Sequence, residues 1–253
     1  MRLQSICRSF LALAAALLVM SRSASASQVV YEGFSQSFPT YANNGAGFSG
    51  PWTTGGFNAF ASGYTSNVGS LSYSSFEAST GGSVSGGAFS AINGAIRNLE
   101  QPLGADNTTA YLSFLLRPDG ILSNGIFNGF FGLTLNGLSS DLFIGKPGGG
   151  ALEQYVIETR GGSGQVPSGT STNAHHTALL VVKAQFLSGN DTFTLYANPA
   201  PGEFEPSNGA VKSDLDLGAV SKIGIYSSGA FTVDEIRIGT TYEDVVPKQG
   251  EGQ

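Results

Sequence analysis

The stretch that decides the fold is TALLVVKAQFLSGNDTFTLYANP, residues 177–199. Apolar side chains recur at every second position in both halves of it: Leu180, Val182, Ala184 and Phe186, then Phe193 and Leu195. A period of two is that of a β-strand with one buried face. The intervening residues 188–191, Ser-Gly-Asn-Asp, are turn formers. The pattern therefore predicts a β-hairpin of strands 178–187 and 192–198.

Similar alternation lies on both sides of this hairpin. Residues 108–117 place Ala110, Leu112, Phe114 and Leu116 on one side, which predicts a strand with one buried face. Further strands are expected at 28–34, 127–135, 142–144, 220–226 and 230–239. No apolar stripe with helical spacing follows the N-terminal segment, and we find no linker or internal repeat. We therefore expect an all-β, antiparallel two-sheet sandwich in a single domain.

The N-terminal segment has the features of a secretory signal. Arg2 and Arg8 precede an apolar run from Phe10 to Met20 that is too short to span a bilayer, and Ala24-Ser25-Ala26 is a small-x-small cleavage pattern. We expect a secreted, extracellular or periplasmic product. The predicted organisation is a signal peptide at 1–26, a sandwich at 27–247 and a polar tail at 248–253.

The charge of the chain narrows its partners. Three of the 12 Lys and Arg residues lie in the predicted signal, which leaves nine against 18 Asp and Glu and a formal charge of −9. An acidic surface argues against nucleic acids and anionic membranes as partners, and it is compatible with calcium. Cys7 is the single cysteine and lies before the apolar run, so the processed chain has no disulfide.

The hairpin at 177–199, together with FTVDEIRIGTTYEDVVP at 231–247, resembles the concanavalin A-like lectin/glucanase superfamily, in particular laminin-G-like modules. YEGF at 31–34 and GFSGPW at 47–52 look like uncharacterised secreted bacterial proteins that carry such a domain. The resemblance implies a jelly-roll sandwich with a concave face, often used to bind glycans. Many such relatives end in a membrane-sorting tail, whereas this chain ends in KQGEGQ, so we expect no membrane insertion after processing.

A structural calcium site is the first candidate. Calcium prefers carboxylate and carbonyl oxygens, and terminal strands that lie side by side supply both. Glucanases of the superfamily use an acidic residue and a glycine carbonyl of the first strand with an aspartate of the last, which Glu32, Gly33 and Asp234 match. Apolar residues occupy odd positions up to Val233 and even positions from Ile236 onward, which predicts a bulge near Asp234. The alternative is that Asp234 or its neighbour pairs with Arg237 or solvent.

Catalysis by paired carboxylates is the second candidate. The resemblance suggests a strand reading E-x-D-x-E or, with a bulge, E-x-D-x-x-E, and the nearest string has Glu153 and Glu158 with Tyr155 at the aspartate position. A spacing of five places the two glutamates on opposite faces unless a bulge intervenes. His175 and His176 lie in a polar segment, where we expect solvation rather than metal binding. We therefore expect no catalytic residues.

Sugar binding through aromatic side chains is the third candidate. Tyr196 and Tyr226 lie on the opposite side of their strands from the apolar residues, and Trp52 follows a Gly-Pro pair. Such rings could stack on pyranoses, although Trp52 could equally fill the core. We predict a non-enzymatic module that binds a polysaccharide or cell-surface glycan and holds one structural calcium. The alternatives are a structural or interaction protein of the envelope or matrix without a ligand pocket, and a divergent glycosidase.

Overall fold

The computed structural model describes residues 30–35, 45–54, 63–76, 81–86, 92–120, 129–151 and 153–247. The predicted signal peptide and polar tail lie outside these ranges. Every regular element within these ranges is a β-strand. No helix long and apolar enough to cross a membrane is found among the described residues. The strands are β1 (Val30–Glu32), β2 (Thr53–Thr54), β3 (Thr65–Val68), β4 (Gly82–Ser85), β5 (Asn93–Leu103), β6 (Thr108–Pro118), β7 (Phe130–Asn136), β8 (Asp141–Lys146), β9 (Gln154–Thr159), β10 (Ser163–Ser171), β11 (Ala178–Phe186), β12 (Asp191–Ala197), β13 (Ala210–Leu215), β14 (Val220–Ser228) and β15 (Phe231–Gly239).

The strands form two antiparallel sheets packed as a sandwich. The first sheet has the order β13-β12-β11-β6-β15-β4-β3, and β1 also pairs with β15. The second sheet has the order β10-β9-β8-β7-β14-β5-β2. The all-β sandwich expected from the alternating pattern is confirmed, because alternation with period two leaves each strand one apolar side to bury against the other sheet.

The hairpin that suggested the fold lies in the first sheet as β11 and β12. Its register pairs Val182 with Leu195 and Ala184 with Phe193, so the apolar residues of both strands share one face. That face packs in the core between the sheets with residues of the second sheet such as Leu133. The predicted hairpin is confirmed.

The outer face of the first sheet is also buried, which the alternation in β6 did not indicate. Tyr111 and Leu115 point away from the main core, and each is at most 7% exposed. They belong to a second apolar cluster to which residues 71–76 and 242–246 contribute from above the sheet. We call these two segments the cover of the first sheet. The expectation of one buried face per strand was therefore incomplete for β6.

The cover is also held by polar contacts. The Ser113 hydroxyl of β6 donates a hydrogen bond to the Val245 carbonyl oxygen at 2.6 Å, and Tyr73 donates to the Pro199 carbonyl at 3.3 Å. These bonds satisfy polar groups that the cover would otherwise bury without partners.

The predicted bulge in the last strand is confirmed. The pairing of β15 with β6 shifts between Asp234 and Arg237, so that one extra residue is accommodated in β15. Glu235 has a φ of 53°, in the left-handed region that non-glycine residues rarely adopt. The bulge explains why Val233 and Ile236 both face the core although they are three residues apart.

Candidate functional site

A cavity of about 600 Å³ lies on the outer face of the second sheet. The strands β7, β8, β9, β10 and β14 supply its walls with side chains that point away from the core, and two glycine-rich turns flank it. The lining residues are Ile92, Phe130, Phe143, Gly148, Gly149, Gly150, Glu158, Arg160, Gly161, Gly162, Gln165 and Tyr226. An apolar concave site with a few polar groups is typical of a ligand pocket.

Three aromatic rings form the apolar wall. The Tyr226 ring lies 4.8 Å from that of Phe130, and the Phe130 ring lies 6.5 Å from that of Phe143, measured between centroids. Gly132 makes room for this arrangement, because a Cβ atom there would come within 2.2 Å of the Phe143 ring. The absent side chain therefore allows the Phe143 ring to lie across β7.

The carboxylate of Glu158 is the main polar feature of the cavity. Phe143 and Glu158 are directly opposed on β8 and β9, so a ring and a carboxylate stand side by side. Glu158 is 5% exposed, and its Oε2 atom accepts a hydrogen bond from Gln165 Nε2 at 2.6 Å. Burial raises the pKa of Glu158, while the Gln165 bond and the nearby charge of Lys212 partly offset that rise.

Gln165 connects this carboxylate to the neighbouring glycine-rich turn. Besides Glu158, its amide nitrogen donates to the Gly149 carbonyl at 3.0 Å, and its amide oxygen accepts from the Ala151 backbone N–H at 2.7 Å. Both ends of the amide are therefore engaged, which is the role of a positioning residue.

The strand that carries Gln165 is anchored to the edge of the first sheet. Lys212 of β13 is buried, and its ammonium group donates to the Gly164 carbonyl at 3.0 Å and to Asp214 Oδ1 at 2.6 Å. These contacts join β13 and β10, which are edge strands of different sheets, and so hold that side of the cavity in place.

Arg160 forms part of the cavity on the β9 side. Its Nε atom pairs with Asp141 Oδ2 at 2.6 Å, and its guanidinium carbon lies 5.6 Å from the centre of the Tyr226 ring. The ion pair orients the guanidinium group over the ring, an arrangement favoured by the cation–π attraction.

The structure separates the three aromatic residues that the sequence suggested for ligand binding. Tyr226 lines the cavity and is partly exposed. Trp52 is 2% exposed, stacks on Phe34 at 6.0 Å and belongs to the main core, so its assignment to ligand binding was wrong and the core alternative holds.

Tyr196 lies under the cover of the first sheet. It is 7% exposed, its ring packs edge-on against Tyr242 at 6.3 Å, and its hydroxyl donates to Glu205 Oε1 at 2.6 Å. Glu205 also accepts from Tyr111 at 2.7 Å and pairs with Lys183 at 2.9 Å. Burial acts to raise the pKa of Glu205, but these bonds outweigh it and lower the pKa. Tyr196 is thus a structural contact rather than an accessible binding residue.

Glu32 and Asp234, which the sequence suggested as calcium ligands with Gly33, are not brought together. Glu32 pairs in register with the core-facing Ile236, whereas Asp234 pairs with Leu115 of the outer cluster. The two carboxylates therefore lie on opposite faces of the first sheet. An ion bound by both is not compatible with this arrangement.

The Glu32 carboxylate instead faces Arg97 of the second sheet, in a salt bridge in which both side chains are 1% exposed. Glu32 also accepts hydrogen bonds from Trp52 Nε1 at 3.0 Å and from the Phe34 backbone N–H at 2.8 Å. Burial raises the pKa of Glu32, and the charge of Arg97 opposes that rise. A guanidinium group thus supplies the positive charge that we expected from calcium.

Asp234 accepts backbone hydrogen bonds on both oxygens, from Leu71 at 2.8 Å and from Glu235 at 2.7 Å. Burial and the adjacent Glu235 charge raise the pKa of Asp234 to about 8. Glu235 in turn accepts from Tyr31 and pairs with Arg237 at 2.9 Å. The structure therefore confirms the alternative expected from the sequence, in which Asp234 or its neighbour Glu235 pairs with Arg237.

The residues that the sequence offered for catalysis or for transition-metal binding are not brought together in one site. Glu153 is exposed and precedes β9, and β9 pairs with β8 without a register shift from Val156 to Thr159. Only Glu158 of the two glutamates lines the cavity. His175 and His176 are exposed. Within the described ranges no group of three or more His, Cys, Asp or Glu side chains could hold a metal ion.

Sequence reasoning missed Phe130, Phe143, Arg160 and Gln165. The first two carried a usable signal, because they are large aromatic residues at positions out of phase with the core residues Phe131 and Leu142. Arg160 and Gln165 carried no such signal, because the sequence of a polar turn or an edge strand does not indicate which residues its side chains will contact.

No protein-family model matches the chain, and no match was found among curated proteins. The globular domain of T. cruzi calreticulin is similar in structure, with a TM-score of 0.52, 13% identity, and coverage of 86% of this chain and 90% of that chain. The VIP36 exoplasmic/lumenal domain in its Ca²⁺/Man-bound form has a TM-score of 0.41 and 10% identity, covering 71% and 84%. A GH131 β-glucanase catalytic domain from Podospora anserina has a TM-score of 0.40 and 13% identity, covering 65% and 74%. The match to the calreticulin domain, at 13% identity, shows that the two chains share a β-sandwich fold and nothing beyond the fold.

Proposed function

We propose that this protein is a non-enzymatic glycan-binding module and that the cavity on the second sheet is its binding site. The observation that carries the proposal is the pairing of an aromatic wall, Phe130 and Tyr226, with the Glu158 carboxylate in one cavity. Sugars offer an apolar C–H face and a hydroxyl edge, which suit a ring and an acceptor set side by side.

Two features favour binding over the alternatives. A purely structural sandwich has no need of a 600 Å³ cavity in which the partly exposed Tyr226 and Arg160 lie beside a buried carboxylate, Glu158. A retaining glycosidase needs two carboxyl groups about 5 Å apart, and an inverting one needs them about 6.5–9.5 Å apart. Among the described lining residues Glu158 is the carboxylate, and Glu153 lies outside the cavity.

A glycan-array screen of the purified protein, with two matched variants, tests the proposal. We expect binding to a defined glycan class, a loss of about 10-fold or more in Tyr226→Ala, and no loss in a folded Tyr196→Ala protein. Both variants remove a tyrosine from the outward side of a strand, but only Tyr226 lines the cavity. A folded wild-type protein that retains no glycan, or equal loss in the two variants, would contradict the proposal.

A structural calcium ion and export by the N-terminal segment stay predictions from the sequence. The ion would need ligands other than the pair Glu32 and Asp234, which lie on opposite faces of the first sheet. Thermal melts with calcium and with chelator test it, because an ion that binds only the folded state raises the melting temperature. Equal melting temperatures in the two conditions would exclude a stabilising ion.

A further inference from the structure

We propose that the cavity selects uncharged sugar residues and rejects uronate or sulfated ones, and that Glu158 is the residue that decides this. The inference rests on the proposed glycan-binding function and names the ligand class of the same site. It follows from the hydrogen bonds of Glu158 and from the charges around the cavity.

The two oxygen atoms of Glu158 differ in their partners. Oε2 accepts from Gln165 at 2.6 Å, whereas Oε1 has no hydrogen-bond donor among the described residues. Oε1 is also not one of the fully buried polar atoms that lack a partner, and Glu158 lines the cavity. The carboxylate therefore presents one acceptor to whatever enters. A sugar hydroxyl can donate to it, but a uronate or sulfate group offers only acceptor oxygens there.

Two positive charges near this acceptor form ion pairs with carboxylates of the protein. Arg160 pairs with Asp141, and Lys212 pairs with Asp214 while its ammonium group is fully buried. The two pairs cancel formally, so Glu158 contributes the net charge of this group of five residues. An anionic ligand group in the cavity would lie beside a like charge, and the repulsion between the two charges would weaken binding.

The neighbouring ring adds the second half of the recognition. Phe143 is directly opposite Glu158 on the adjacent strand, and such side chains have Cβ atoms about 4.5–5.5 Å apart. Phe143 is 2% exposed and forms the back of the aromatic wall, whereas Tyr226 is the partly exposed ring of that wall. A pyranose can therefore place its C–H face on Tyr226 and donate a hydroxyl to Oε1 of Glu158. Gln165 fixes the carboxylate, so the acceptor is preorganised rather than mobile.

The experiment compares three neutral hexasaccharides, cello-, laminari- and manno-hexaose, with their C6-oxidised counterparts, in which a carboxylate replaces the hydroxymethyl group. Binding to the purified wild-type protein is measured by titration calorimetry. We expect at least one neutral oligosaccharide to bind, and the affinity for its oxidised form to be lower by about 30-fold or more. Equal affinity, or preference for the oxidised forms, would overturn the selectivity while leaving glycan binding intact. A folded protein that binds none of the six, and no glycan on the array, would overturn both proposals.

Glu158→Gln tests whether this residue is the cause, because it removes the charge with little change in shape. The difference in affinity between the neutral and the oxidised ligands should fall to about 3-fold or less in this variant. The matched control is Glu153→Gln, which removes an exposed glutamate five residues away and should leave the difference unchanged. A difference that persists in folded Glu158→Gln would overturn the role of Glu158.

A measurement on the wild-type protein keeps the inference testable if Glu158→Gln does not fold. Raising the salt concentration from about 20 mM to about 300 mM screens part of the charge repulsion between the ligand and Glu158, which is 5% exposed. The difference in affinity between each neutral ligand and its oxidised form should then narrow about 2-fold, because a mostly buried charge is screened less than a surface charge. A difference that is the same at both salt concentrations would show that charge is not its cause.

Discussion

The outer faces of the two sheets differ in what lies on them. On the first sheet, residues 71–76 and 242–246 cover Leu115 and Tyr196 and form a second apolar cluster. On the second sheet, the outward residues Phe130, Phe143 and Val156 form only a small buried cluster, and the partly exposed Tyr226 that packs against it lines a cavity. The two tyrosines occupy equivalent outward positions on their strands, yet one is a packing residue and the other is a candidate ligand contact. Strand periodicity predicts the side of a residue, and only the covering segments decide its exposure.

The buried carboxylates of the two faces differ in the same way. Asp234, under the cover, accepts backbone N–H groups on both oxygens. Glu158, in the cavity, has one oxygen engaged by a side chain. A carboxylate with both oxygens bonded to backbone serves the fold, whereas one with an unbonded oxygen is able to bind a ligand.

The largest expected effect contrasts the two tyrosines in stability. Tyr196→Ala should lower the free energy of unfolding by about 3–5 kcal/mol, because a buried aromatic ring is removed and a cavity is left. Tyr226→Ala should cost about 1 kcal/mol, since its ring is partly exposed and its main contact is Phe130. Urea unfolding followed by circular dichroism measures both. Equal costs would contradict the distinction between a covered and an accessible face.

The pH dependence of stability is the second prediction. The pKa of Asp234 is about 8 in the folded protein and about 3.9 in an unfolded chain. Between these values the folded state retains a proton that the unfolded state has released, so stability falls as pH rises from about 4 to about 8. One such group contributes a slope of at most about 1.4 kcal/mol per pH unit. Urea midpoints at about pH 5.5 and about pH 7.5 measure it.

The contribution of Asp234 is separated by substitution. The raised pKa values of Glu32 and Glu158 act in the same direction, so the share of Asp234 is the part of the slope that Asp234→Asn removes. Asp106→Asn, at an exposed turn position, is the control and should keep the slope. A slope that survives intact in Asp234→Asn would show that the covered carboxylate does not titrate as its burial requires.

Gly132→Ala should affect the cavity more than the fold. Its new Cβ atom would meet the Phe143 ring, which must move toward the cavity. We expect a loss of about 1–3 kcal/mol in stability from overpacking and weaker glycan binding. Gly189→Ala is the control, because a Cβ atom there would contact nothing within 4 Å. Unchanged binding with an unchanged Phe143 position would contradict the assignment of this wall.

The smallest expected effect concerns the rim of the covered face. Phe204 is 90% exposed although its neighbour Glu205 is bonded to Tyr196 and Tyr111. Phe204→Ser should change the free energy of unfolding by less than about 0.5 kcal/mol. Glu205→Gln should cost about 1–2 kcal/mol, because it weakens three charge-assisted hydrogen bonds. Comparable costs for both would imply that Phe204 packs on the cover.

The candidate site was only partly predictable. The outward position of Tyr226 could be derived from the apolar phase of β14, and the bulge at Asp234 from the change of phase in β15. The partners of Glu32 could not, because Arg97 lies 65 residues away and on the other sheet. The cavity could not be predicted either, since its walls come from five strands and two turns that periodicity does not place relative to one another.

The sequence by itself determined that the chain is an antiparallel sandwich, where its central hairpin lies, and which side of most strands is apolar. These properties follow from residues that are neighbours in sequence, through the period of two and the turn formers between strands. The tertiary structure alone decided that Glu32 meets a guanidinium group, that Tyr196 is covered, and that Tyr226 lines a cavity with Glu158. Those outcomes depend on contacts between distant segments, for which a single sequence carries no local periodic signal.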